Sequence, residues 1–402
     1  MKKIHYQADA QERFIPISID KLIADLLAGP QLTAEEKHLF QQFCNYYTAL
    51  FHAQSHSNLQ QIKRLYQPFN PDSESIIVDT VDADAQLAQL KTELHIILND
   101  ANYEKISELD LNEALNKISP HGVKVSVDFD DFNDVALFYR GSAIQSEFHR
   151  DWKRLKFKKK AVDIHVYRRL FVLLQPRNRQ QWIDHLLSST KISVKKAEKQ
   201  VDRSLKTLGI NGDSDIVYLK LFKDIPRADL EMLFPNTRIQ IRLFDKIKLG
   251  LMGGGGTAGG VMATISKLSA AIDPVSAIIA VGGLLGIIWR QIAKIFSQRA
   301  KYSAILTKNL YFYNLDNNMG ALTYLADTAE AEECKEAILA YFFLLSAVNT
   351  SRTDLDQTIE GYIKAQYDIP MDFEINDGLD KLQQAKLLNP ASEQLSALPL
   401  HL

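Results

Sequence analysis

Ten of the chain's eighteen glycines fall in one stretch, residues 249–289 (LGLMGGGGTAGGVMATISKLSAAIDPVSAIIAVGGLLGIIW), and this stretch limits the available folds more than any other feature. Each interior glycine costs a soluble helix roughly 1 kcal/mol relative to alanine. Bilayers tolerate glycine better, because small residues let helices pack closely where no water competes. Two apolar runs, Leu249–Ile265 and Val275–Trp289, flank a link that contains Lys267 and Asp273. A span needs about 20 mostly apolar residues, with roughly 17 as the lower limit, so both runs are short. Bilayer thinning or snorkelling of flanking cations accommodates short spans. Lys246 and Lys248 precede the first run, Arg290 and Lys294 follow the second, and Trp289 stands where an interfacial aromatic belongs. The pattern predicts a two-helix membrane hairpin over 246–292. The competing reading is a hairpin buried in a soluble core.

Gly255/Gly259, Gly256/Gly260 and Gly282/Gly286 are each four residues apart. On helices such stripes form grooves for a partner helix, so the hairpin is expected to pack on itself or on another copy. A Walker loop would need Lys-Ser or Lys-Thr after the glycines, to reach the phosphates and Mg²⁺. Val261-Met262-Ala263 follows instead, which argues against nucleotide binding.

At 402 residues the chain is too long for one ordinary core, and two or three modules are expected around the hairpin. A net charge of −2 gives no global field for nucleic acid. Cys44 and Cys334 are the only cysteines, far apart, which suggests a reducing compartment without a disulfide framework. The first residues lack an apolar signal core, so no secretory leader is expected. Basic residues flank the hairpin on both sides, Arg238 to Lys248 and Arg290 to Lys301, whereas the link has only Lys267. By the positive-inside rule both termini are expected to be cytoplasmic.

The periodicity predicts an α+β chain. Thr33-Ala-Glu-Glu36 reads as a capping box opening a helix over 33–67, and a second helical stretch follows in about 84–117. From 121 the texture turns to strands: Val123 to Phe129, Val135 to Gly141, Phe157 to Leu174, Asp215 to Phe222 and Ile239 to Phe244, a mainly antiparallel sheet. Residues 178–206 read as helical or irregular, and 319–348 as a strong helix whose Ala340–Val348 end is a buried core segment. Two further helices and a short terminal ribbon suggest a winged-helix-like tail. Its acidic residues (Asp368, Asp372, Glu374, Asp377, Asp380) favour packing over DNA. The expected domains are an N-terminal helical region (1–118), an α+β sheet domain (119–245), the hairpin (246–292) and a C-terminal helical module (293–402).

Chemistry-bearing motifs are few. His52 and His56 stand four apart without a third metal ligand, and the basic run Lys153–Lys160 reads as a solvated strand edge. No G-x-S-x-G, H-E-x-x-H or C-x-x-C occurs, so no catalytic residue, cofactor or metal is expected. Candidate interaction residues are Tyr139, Arg140 and Asp224.

Several pieces resemble the transmembrane protein 143-like family. They are Leu137-Phe-Tyr-Arg-Gly141, Leu221 through Pro235, the glycine-rich hairpin, Leu310-Tyr-Phe-Tyr-Asn314 and Lys335 through Tyr341. The resemblance implies a multi-pass membrane protein with no established catalytic residues to carry over. The expectation is therefore an integral membrane protein with an interaction or scaffold role. Its expected partners are the lipid bilayer, other copies through the hairpin, and a protein of unspecified kind. An oligomeric membrane transport or pore component is the first alternative. A soluble enzyme with a buried glycine-rich hairpin is the second.

Overall fold

The computed structural model describes residues 6–8, 11–73, 82–111, 124–127, 129–150, 159–208, 212, 215–234, 238–240, 310–346, 350–388 and 395–398. The chain divides into two compact units, one of residues 1–106, 130–227 and 314–402, the other of 107–129 and 228–313.

The larger unit is a mixed α+β structure around one antiparallel sheet. Strands β1 (Tyr6–Ala8), β4 (Phe132–Arg150), β5 (Lys159–Pro176), β6 (Tyr218–Pro226) and β8 (Asn314–Asn317) neighbour one another in that order. The short β2 (Glu104–Lys105) pairs with β4 beside β1. The β4–β5 hairpin runs from Phe132↔Pro176 to Arg150↔Lys159, longer than the alternation alone predicts. Its apolar run Leu170–Leu174 lies at the centre, with consecutive side chains buried on opposite faces. Gly141, at φ +75°, provides the left-handed backbone that β4 needs beside Phe14 and Glu12.

Helices α1 (Ile19–Ala28), α2 (Ala34–Tyr66), α3 (Ala83–Asp100) and α6 (Asn318–Ser346) build the core. The expected capping box opens α2: Thr33 N–H donates to Glu36 Oε2 at 2.7 Å, and Glu36 N–H donates to Thr33 Oγ1 at 3.3 Å. α6 serves two cores. Its first half (Ala321, Leu322, Leu325, Ala329) packs with α2, α3 and the sheet residues Phe138, Phe171, Leu173 and Leu221. Its apolar second half, Ala337–Leu344, packs with α1, α2, α7 (Arg352–Tyr367) and α8 (Ile375–Gln384) as a buried core segment. Helices α4 (Arg179–Ser189) and α5 (Val194–Leu208) close a satellite core of Trp182, Ile183, Ala197, Val201 and Leu205.

In the smaller unit β3 (Lys124–Ser126) pairs antiparallel with β7 (Arg238–Gln240), and Phe129 meets Phe234 edge to face at 5.4 Å.

The membrane expectation requires correction. Among the described residues no helix is long and apolar enough to cross a membrane. The longest helices show why: α2 has 33 residues but is polar on most of its circumference, and the middle of the 29-residue α6 carries Glu330, Glu332, Glu333, Lys335 and Glu336. The integral, multi-pass reading with both termini cytoplasmic is thus contradicted, and with it the membrane pore. The hairpin itself lies outside the described residues, with Gly255, Gly256, Gly259, Gly260, Gly282, Gly286 and the anchors Lys246, Lys248, Trp289, Arg290 and Lys294.

Candidate functional site

The seam of α6 that meets the cores carries Leu322, Leu325, Ala329, Glu332, Glu336 and Leu339, so helical spacing places two glutamates where apolar residues belong. Charge buried this deeply must be paired. Glu332, 1% exposed, accepts from Arg140 Nη2 and from Lys335 Nζ (2.6 Å) on Oε1, and from the Ile15 N–H (2.9 Å) on Oε2. Lys335 Nζ also donates to the Ile15 carbonyl, so residues 11–17 are strapped onto α6. Burial pushes the Lys335 ammonium down, Glu332 opposes that, and the Arg140 charge adds to it.

One turn on, Glu336 is held by Asn102 Nδ2 (3.1 Å) and Lys381 Nζ (2.7 Å), and the same ammonium reaches Glu333 Oε1 at 2.7 Å. Glu333, Glu336 and Asp377 bring their carboxylates close enough for a metal ion, but the ammonium of Lys381 already bridges two of them. Burial pushes Glu333 up to about 8 against the pull of Lys381, and raises Glu336 as well. Burial pulls the Lys381 ammonium down, but Glu336 and Glu333 outweigh it and hold it above the usual lysine range. With one of Glu333 and Glu336 protonated, the other balances the charge of Lys381. The adjoining cleft, lined by Phe51, Ser55, Asn58, Ile97, Asp100 and Glu333, holds about 60 Å³. Sites for organic ligands run to about 300–1,000 Å³. The clasp reads as a joint between α6 and α8.

A second polar cluster is not neutral. Arg140 on β4 stands directly opposite Arg169 on β5, and Arg169 opposite Lys223 on β6. Partners in such a register share one face, here the face covered by α6. Tyr103 lies just before β2, whose register (Glu104↔Tyr139, Lys105↔Phe138) carries it toward Arg140. The row Tyr103–Arg140–Arg169–Lys223 therefore crosses three strands and ends at the residue before β2. Its ion pair is Arg140–Glu332; among the described residues Arg169 and Lys223 make none. Arg169 is oriented by donating Nε to Tyr324 Oη (3.2 Å) and Nη1 to the Arg168 carbonyl (2.8 Å), and among the described residues Nη2 has no partner. Two buried donors there lack partners, the Tyr103 hydroxyl and Arg140 Nε. Tyr103 is 6% exposed, and the charges of Arg140 and Arg169 both act on it. Arg169, Lys223 and Tyr324 are half-buried, so the row is open to solvent along that side.

Of the candidate interaction residues, Arg140 belongs to this row. Tyr139 points to the other face, its hydroxyl donating to Glu104 Oε2 (3.0 Å) and its ring 4.8 Å from Tyr167. Burial raises it to about 12. Asp224 sits in β6 at φ +51°, one residue past Lys223. His52 pairs with Glu330 (2.9 Å), and His56 is 6.4 Å from it ring to ring. Most of the basic run Lys153–Lys160 lies outside the described residues. Sequence reasoning missed Tyr103, Arg169, Lys223, Glu332, Glu336 and Lys381. Two signals were present: glutamates on an apolar helical seam, and Arg169 two residues before Phe171 on the buried face of a strand.

No solved structure matches the chain. The matched family does not confirm the transmembrane protein 143-like resemblance; it includes Arg140, Arg169 and Lys223 in its span. Residues 132–320 match the model of a family described as a protein of unknown function, DUF3754.

Proposed function

We propose that the sheet–helix unit is a binding module for a small oxyanion group, held by Arg169 and Lys223 with the hydroxyls of Tyr103 and Tyr324. The observation that carries this reading is the cross-strand row of three cations in which, among the described residues, a single one, Arg140, pairs with a carboxylate. Like charges opposite one another weaken a sheet unless something neutralises them. Charge-assisted bonds to an oxyanion are among the strong hydrogen bonds, and the guanidinium fork of Arg169 suits them. Glu332 is an internal precedent, a carboxylate held by Arg140, Lys335 and one backbone N–H. Titration of the full chain with sodium phosphate, in a low-chloride buffer followed by calorimetry, should give saturable binding. Arg169→Gln and Lys223→Gln should each weaken it about tenfold, while Lys199→Gln on α5 should leave it unchanged. Absence of saturable binding to the wild type would refute the reading.

We also read the C-terminal helices as a winged-helix-like packing module. Support comes from α7 and α8 followed by the antiparallel bridges Leu388↔Ala397 and Thr350↔Leu395, and from Leu355, Ile359, Leu379 and Leu382 buried against α6.

A further inference from the structure

We propose that the group this row takes is a phosphate monoester in its dianionic form, carried by a soluble ligand. The inference rests on the oxyanion reading above and adds the charge and shape of the ligand. Glu332 pairs with Arg140 and Lys335, and among the described residues the cations of the row without an ion pair are two, Arg169 and Lys223, on adjacent strands. A carboxylate or a phosphodiester brings one negative charge and leaves one cation exposed to its neighbour. A phosphate monoester brings about −1.5 to −2 and three strong acceptor oxygens.

The donors match that count. Arg169 offers Nη2 in a fixed plane, since Nε and Nη1 are already committed. Lys223 offers a rotatable point charge. Tyr324 accepts the Arg169 Nε bond, which leaves its own proton to donate. The Tyr103 hydroxyl and Arg140 Nε are buried donors without partners, and an acceptor oxygen reaching them would end a desolvation cost of the unliganded protein. Among the described residues no carboxylate forms an ion pair with Arg169 or Lys223 and so competes for the position. Glu12, which burial raises to about 7, faces Arg168 and Arg140 instead.

Calorimetry on the full chain with methyl phosphate, dimethyl phosphate, sulfate and acetate tests the charge directly. At pH 8 methyl phosphate and sulfate should bind about tenfold more tightly than dimethyl phosphate and acetate. At pH 5.5 methyl phosphate should weaken severalfold, because its second proton returns near pH 6. Sulfate stays a dianion, so its affinity should hold, which separates ligand protonation from titration of Glu12. Tyr103→Phe should cost about threefold for methyl phosphate and keep the preference for dianions; Tyr324→Phe, at a half-buried position, repeats that test if the first variant folds poorly. Equal affinity for singly and doubly charged ligands would overturn this inference and leave the oxyanion reading standing. No binding of any of the four would overturn both. Binding to phosphatidic acid vesicles with none to soluble methyl phosphate would overturn the assignment to a soluble ligand.

Discussion

Lys381→Met removes one charge from the α6–α8 clasp and keeps an unbranched apolar stem. Lys381 Nζ lies 2.7 Å from both Glu333 and Glu336, and the Glu336 side chain is 2% exposed. Removing one partner of a buried pair costs about 3–5 kcal/mol, because the other charge stays buried alone. Asn102 still donates to Glu336, so a loss near the lower figure, about 3 kcal/mol, is expected at pH 8. The loss should depend on pH. Burial raises both carboxyls, and a group whose folded value exceeds its unfolded one stabilises fully below the unfolded value, then loses that contribution as pH rises through the folded value. For Glu333 the window runs from 4.5 to about 8. Without the ammonium both carboxyls move higher, so lowering the pH toward 5 favours their uncharged forms, and the deficit should shrink to about 1 kcal/mol or less. Urea unfolding of wild type and variant at pH 5 and pH 8, followed by far-ultraviolet circular dichroism, measures both. Glu336→Gln added to Lys381→Met should recover most of the deficit at pH 8. Equal losses at the two pH values would show that the lysine stem packs the joint and its charge does not matter.

Two further outcomes follow from local geometry. Gly141→Ala places a Cβ 2.9 Å from Phe14 Cε1 at φ +75°, so it should cost about 2 kcal/mol; a lower urea midpoint with unchanged slope is the expected readout. Cys44 and Cys334 are buried and their thiols are pushed up to about 12, so Ellman's reagent should label neither until urea is added, and rapid labelling of the folded protein would contradict that burial.

Local signals in the sequence located the elements. The Thr33–Glu36 box, the alternation in β4 and β5 and the helical spacing of α6 each point to what forms there. Partners of those elements were not legible. The apolar end of α6 looks the same whether a sheet or four helices cover it. Length and apolarity likewise made 249–289 look like a span, yet the described helices offer no companion for one. The cation row shows the limit most plainly, because Tyr103, Arg140, Arg169 and Lys223 are 29 to 54 residues apart and only the strand register aligns them.

The two polar clusters on α6 differ in how they can be neutralised, and that difference separates a joint from a site. At the clasp a proton suffices. Burial raises Glu333 to about 8, and a proton on one of the two carboxyls leaves the other to balance Lys381. The clasp asks for nothing from outside the chain. The row cannot use protons in that way. Arginine keeps its charge at any pH a folded protein meets, so Arg140 and Arg169 stay cationic side by side, with Glu332 as the one carboxylate paired to the row among the described residues. Lys335, beside them, also shares Glu332. Solvent screens part of the surplus at the half-buried Arg169 and Lys223, and reaches the buried Tyr103 hydroxyl and Arg140 Nε far less. Groups that water serves poorly and protons cannot discharge are served by an anion. In its absence the two guanidiniums should sit under mutual repulsion, and phosphate should therefore raise the thermal midpoint of the wild type and leave that of Arg169→Gln nearly unmoved.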